Sequence, residues 1–247
     1  MHKEIIRREQ VNDEHLPATL HPIIRQIYAR RGVSSKDQLE LTASHLCAVD
    51  SLKGLPEACE LLYQALQENK NITVIGDFDA DGATSTALMM EALHMLGSTN
   101  HHFLVPNRFK YGYGLTPEIV DIAASQGCNF ASKSLAGVGV AFYFMLALRK
   151  YLREQQWFEQ QSIKEPNIAQ LLDLVALGTV ADVVSLDANN RILVEQGLKR
   201  IRAGATRPGI QALIEIAGKN QQKLVASDFG FALGPRINAA GRLDDMA

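Results

Sequence analysis

The chain has 247 residues, 47% of them hydrophobic, with 25 Lys and Arg against 27 Asp and Glu for a formal net charge of −2. That apolar content supports a sizeable core, in one large domain or two small ones, and excludes global disorder. A charge this close to zero neither marks nor excludes a nucleic-acid partner, which would have to meet a local basic patch.

The three cysteines, Cys47, Cys59 and Cys128, have no metal-type spacing, and their odd number argues against a disulfide framework. The opening Met1-His2-Lys3-Glu4-Ile5-Ile6-Arg7-Arg8 lacks the apolar centre of a signal peptide. The longest apolar run, Leu135 to Leu148, is too short to span a bilayer and reads as a buried helix. The expectation from these facts is a cytoplasmic protein.

Residues 1–50 read as a helical leader. Leu20, Ile23, Ile24, Ile27 and Tyr28 recur at helical spacing, Gly32 stops that helix, and a second short helix is expected around Leu39 and Leu41. Residues 55–69 form an amphipathic helix with Ala58, Leu61, Leu62, Ala65 and Leu66 on one face. Strand 72–76, helix 83–96 and strand 101–105 follow, with Gly97 ending the helix. That order predicts a right-handed βαβ unit with a parallel strand pair and a ligand crevice at the strands' carboxyl ends.

At that end stands Gly76-Asp77-Phe78-Asp79-Ala80-Asp81-Gly82. In extended chain, residues two apart share a side, so Asp77, Asp79 and Asp81 would crowd three carboxylates together. Like charges that close raise one another's pKa unless a cation sits between them. All-oxygen donors favour a hard ion, Mg²⁺ or Mn²⁺. An EF-hand would need glutamate at loop position twelve, where this chain has Leu88, and a helix rather than a strand before the loop. An aspartyl-phosphate phosphatase would need Thr or Val where Asp81 or Ala83 stands.

Further on, Pro106 to Glu118 is a loop entering a helix capped by Thr116 that runs to about Ser125. Arg108 on that loop can reach the same crevice and clamp phosphate. A buried helix spans 134–153, Trp157 and Phe158 cover an edge, and a second apolar helix spans 168–177. Asp182 follows amid Val180, Ala181, Val183 and Val184, where an unpaired charge is costly and must be capped, paired or metal-bound. Asp187 and Asn189 are candidates to cap a helix over 190–203. Lys199, Arg200, Arg202 and Arg207 make the densest basic patch, suited either to a nucleic-acid backbone or to a helix's carboxyl end.

The string Gly76 to Ala87 closely resembles the first motif of the DHH phosphoesterase superfamily, specifically of the RecJ single-strand-specific exonucleases. Four further stretches resemble RecJ segments in family order: Pro106 to Leu115, Cys128 to Val140, Gly178 to Asp187, and Gly234 to Asp245. The resemblance implies an α/β fold, a parallel-sheet DHH-type domain with a helical leader and a helical C-terminal half. It implies two-metal hydrolysis of phosphodiesters from the 5′ end of single-stranded DNA, with Mn²⁺ or Mg²⁺ as cofactor. Asp77, Asp79, Asp81 and Asp182 would be metal ligands, Asp79 and Asp81 catalytic, and Arg108, Arg236 and Arg242 phosphate or DNA contacts. Single-strand-binding protein or a helicase are partners by the same resemblance. The alternatives are another DHH phosphoesterase acting on oligonucleotides or cyclic dinucleotides, and a non-catalytic remnant that binds DNA or a partner.

The chain departs from that pattern after Gly127. The second motif, Val-Asp-Asn-Gly, and the Asp-His-His that names the superfamily are both missing, a gap of roughly fifty residues and more than one βαβ unit needs. His101-His102 cannot replace the pair, because they open a strand and alternate to opposite faces. The expected division is leader 1–50, βαβ part 51–127, helical remainder 128–233, and 234–247 leading towards an absent second domain.

Overall fold

In the computed structural model, β1 (Ile72–Ile75) and β2 (His101–Leu104) run parallel, Ile72 opposite His101 and Ile75 opposite Leu104. The structure describes residues 9–49, 52–105, 132 and 134–243, with side chains as far as 241. Between the strands lies α3 (Ala80–Met95), so the expected βαβ unit is present. Before it comes α2 (Leu55–Gln67), with Gly54 in the left-handed region at φ 75° and Pro56 in the first turn, where a missing N–H goes unneeded.

Among the described residues the C-terminal part is largely helical: α4 (Gly137–Glu154), a single turn at Trp157–Gln160, α5 (Leu172–Ala181), α6 (Ala188–Arg202), α7 (Pro208–Ile216) and α8 (Gly234–Leu243). Residues 172–179, most of α5, are buried. A helix apolar on all sides must be enclosed, and α5 is: α6 packs on one side of it and α3 on another, while α4 also packs on α3. Leu88, Phe142, Met145, Leu148, Leu177, Leu193 and Ile201 belong to one buried cluster that continues to Phe229 and Leu233. The cluster holds α3 by its back, leaving the start of that helix at the edge of the core.

Of the two helices expected in the leader, one forms and one needs correction. Its helix, α1 (Pro22–Arg30), forms, but Ile23, Ile24 and Ile27 remain 63%, 40% and 43% exposed. Helical spacing shows that one face is apolar, not that anything covers it. The second leader helix is only a 3₁₀ turn, Asp37–Leu39. The leader's end does dock: Cys47 N–H donates to Asn189 Oδ1 at 3.0 Å, and the Gln196 amide reaches the Leu41 carbonyl at 2.5 Å. The expected helix to Ser125 lies outside the described residues.

Candidate metal site at the start of helix α3

The acidic motif straddles a loop and a helix. β1 stops at Ile75, and α3 begins at Ala80, three residues before the expected start. Period-two alternation therefore does not carry through the motif, and the expected row of three carboxylates on one side of a strand end does not form. Asp77 Oδ1 accepts from Phe78 N–H at 2.7 Å. Asp79 has extended backbone and caps α3, its Oδ1 accepting from Gly82 N–H at 2.7 Å. Asp81 is already inside the first turn. A glycine is required at 82, since a Cβ there would sit 2.6 Å from the Asp77 Cβ and carbonyl carbon.

Asp81 turns away from the strand and towards α4. Its Oδ2 accepts from Gly137 N–H at 2.8 Å and its Oδ1 from Val138 N–H at 2.9 Å. Burial pushes its carboxyl up to about 6, against the lowering effect of those two donors, and the charges of Asp182 and Asp79 push the same way. Asp182 is raised as well, by burial first and then by Asp79. Asp79, Asp81 and Asp182 therefore form one electrostatically coupled set, brought together by α3 and the end of α5.

Asp182 caps the carboxyl end of α5, its N–H donating to the Gly178 carbonyl at 2.9 Å. It is exposed in spite of its apolar sequence neighbours, so the burial that raises its carboxyl is only partial. Next to it, Val183 takes φ 60° and is 86% exposed. A β-branched residue in the left-handed region is strained, and such strain gathers at functional sites.

A third element, α8, closes over the motif. Asn238 Oδ1 accepts from Ala80 N–H at 2.8 Å, and Gly241 packs on the carbonyl of Phe78. Neither Asn238 nor Gly241 stood out in the sequence. The available signal was an amide and a small residue three apart on a helix, which share a face.

The candidate phosphate contacts fare unevenly. Arg236 is exposed, and its guanidinium donates to the Ala232 carbonyl, just before α8 begins, at 2.6 Å. Arg242 is described by its backbone alone, on α8, and Arg108 lies outside the described residues. Of the basic patch, Arg207 is committed to an ion pair with buried Asp173, Lys199 pairs with Glu195, and Arg202 donates to Leu224 O. His101 contacts Ser98 and His102 contacts Thr73.

A parallel strand pair, an acidic motif at its carboxyl end and a second acidic helix terminus beside it define a DHH-type α/β domain. No protein-family model matches the chain. It is 50% identical to the single-stranded-DNA-specific exonuclease RecJ of Escherichia coli K12, over 99% of this chain and 51% of that protein. It resembles the RecJ of Thermus thermophilus in complex with Mn²⁺, with TM-score 0.65 and 31% identity over 87% of this chain and 36% of that one. The Mg²⁺ complex of the same protein gives TM-score 0.61 and 33% identity, over 87% of this chain and 33% of that one. By sequence and fold the chain is similar to RecJ along nearly its whole length, and it spans about half the length of the curated relatives that it matches. The alignment with the Escherichia coli protein runs over 296 residues. A chain of 247 residues therefore leaves about fifty aligned positions empty, the size of the gap expected after Gly127.

The donor set suits a hard divalent ion in kind, since every candidate ligand is a carboxylate. It does not suit one in number. Among the described residues, no group of three or more His, Cys, Asp or Glu side chains is placed to hold a metal ion. The residues present fit part of a coordination sphere, not a closed site.

Proposed function

We propose that this chain carries part of the catalytic domain of a RecJ-type, single-strand-specific 5′–3′ exonuclease and has little or no exonuclease activity in this form. The carrying observation is the coupled set Asp79, Asp81 and Asp182, at the carboxyl end of a parallel strand pair, in a chain half identical to a RecJ protein. Asp77, Asp79, Asp81 and Asp182 would face Mn²⁺ or Mg²⁺, with Arg108, Arg236 and Arg242 towards the phosphates of single-stranded DNA. When bound, the ions would supply an activated water and a clamp on the leaving oxygen.

What the chain's own residues do is more limited. Asp79 fixes the start of α3, Asn238 holds the Ala80 amide, and α5 delivers Asp182 to the same place. The about fifty missing positions remove ligands that a two-metal site needs. Losing one charge-stabilising group at an active site already costs about 10²–10³ in rate. The biological setting that follows from the resemblance is cytoplasmic DNA repair and recombination, alongside a single-strand-binding protein or a helicase.

The test combines calorimetry with a 5′-phosphorylated, 3′-labelled single strand in Mn²⁺. The expected result is one weak Mn²⁺ site at most, abolished in Asp79→Ala, with no mononucleotide release. Two tight sites, or release that disappears in both Asp79→Ala and Asp182→Ala, would show a complete site and overturn the proposal of inactivity.

A further inference from the structure

The first turn of α4 has unpaired N–H groups that its own sequence does not satisfy. The residue at its N-cap is Ala136, which has no side-chain oxygen, and no side-chain cap bond is made there. The motif carboxylate of Asp81 meets this end instead, reaching across 56 residues of sequence with both oxygens engaged, at 2.8 and 2.9 Å. Gly137 makes the approach possible: a Cβ at that position would lie 2.6 Å from Asp81 Oδ2. On α5, Gly178 lets the same three elements close up: a Cβ there would lie 2.2 Å from Thr84 Oγ1 and 2.8 Å from Val138 Cγ1, and 3.2 Å from Asp81 Oδ1.

We propose that Asp81 is the interhelical N-cap of α4, so that one carboxylate both belongs to the candidate metal set and fastens the start of α3 to the start of α4. The motif thereby carries part of the fold's stability before any ion binds. The converse also holds: α4 sets the direction of the Asp81 carboxylate, which makes Gly137 a positioning residue for the site. Ligating carboxylates are commonly held by hydrogen bonds of this kind. This deepens the metal-site reading above, but the capping claim is tested without metal and stands or falls separately.

Two accounts of Asp81 predict opposite signs in metal-free protein. If Asp81 is only one member of a repelling, partly desolvated acidic set, removing its charge relieves repulsion and raises stability. If it caps α4, removing it exposes an uncapped helix end and lowers stability. Asp182 supplies the control. A carboxylate at a helix carboxyl end opposes the dipole, so Asp182→Asn should be neutral or stabilising.

The experiment is thermal melting in excess EDTA of the full chain and of Asp81→Ala, Gly137→Ala and Asp182→Asn. The expected result is a fall in Tm of about 2–4 °C for Asp81→Ala, from the usual size of a cap and the melting entropy of a chain this long. Gly137→Ala should fall in the same direction, and Asp182→Asn should not fall. Amide hydrogen exchange at Gly137 or Val138 should speed up in Asp81→Asn, whose carboxamide keeps only one acceptor oxygen, a milder change to be used if Asp81→Ala does not fold. An unchanged or raised Tm for Asp81→Ala, or exchange unchanged at both amides in Asp81→Asn, would overturn the proposal. Mn²⁺ binding that Asp81→Ala leaves unchanged, with the melting result intact, would count against the metal reading of Asp81 alone.

Discussion

Asp173 is wholly buried, and it is held by Leu174 N–H at 3.0 Å, the Thr206 hydroxyl at 3.0 Å, Arg207 N–H at 3.1 Å and the Arg207 guanidinium. Composition placed Arg207 in a basic patch, because charge along a sequence shows sign but not partner. Packing shows the partner: Arg207 neutralises a carboxylate that α5 carries into the core. Removing one member of a buried pair leaves an uncompensated charge and typically costs about 3–5 kcal/mol. Arg207→Ala should therefore lower the urea midpoint by the equivalent of a few kcal/mol, while Arg236→Ala, on an exposed side chain, should leave it nearly unchanged. Equal effects of the two would place Arg207 on the surface after all. At this scale the residue types of the candidate site were readable in advance and their geometry was not. Asp77, Asp79, Asp81 and Asp182 stand out as residue types at a strand end and in an apolar run. The direction of Asp81 depends on Gly137 and Val138, more than fifty residues away, which no local pattern contains.

The elements themselves were legible where periodicity is strong. The expected helix over 134–153 is α4, 137–154, and the expected strands 72–76 and 101–105 are β1 and β2, each ending a residue early. Asp187 does cap α6, through Asn190 N–H at 2.9 Å, whereas Asn189 is buried and accepts from Cys47 N–H and Tyr143 OH. The start of α3 was misplaced because Asp79 caps it from within the motif that alternation assigned to a strand. Close helix contact is equally invisible from one helix alone. Gly197 in α6 lies directly against the Leu172 carbonyl and the Ala176 methyl of α5, with no room for a Cβ. Gly209, in the first turn of α7, has nothing within 4 Å of the position a Cβ would take. Gly197→Ala must push backbone apart and should cost about 1–3 kcal/mol or more. Gly209→Ala has a helical site with free space and should stabilise by about 0.4–1 kcal/mol. Denaturant titration of the two variants should move the midpoint in opposite directions. A tolerated Gly197→Ala would mean that α5 and α6 are not in the tight contact described.

The whole molecule joins a well-covered helical core to a sheet that is thin for its class. Among the described residues the sheet has two strands, so each strand keeps one side without a partner. Ile75, Phe103 and Leu104 on those strands are 70%, 53% and 53% exposed. Three or more strands with a covered apolar face are the usual minimum for independent stability, and unpaired edges template association. The about fifty aligned positions that the Escherichia coli relative has and this chain lacks are enough to supply further strands. The expectation is a chain whose helical half is firm and whose sheet half self-associates as concentration rises. Sedimentation velocity across a hundredfold concentration range should show growing oligomers, and Phe103→Lys, which places a charge on an open strand, should shift the distribution towards monomer. A single monomeric species at every concentration, with a sharp cooperative melt above about 60 °C, beyond most mesophile domains, would show that the two-stranded remnant is complete in itself. The missing segment would then be needed for the chemistry and not for the fold.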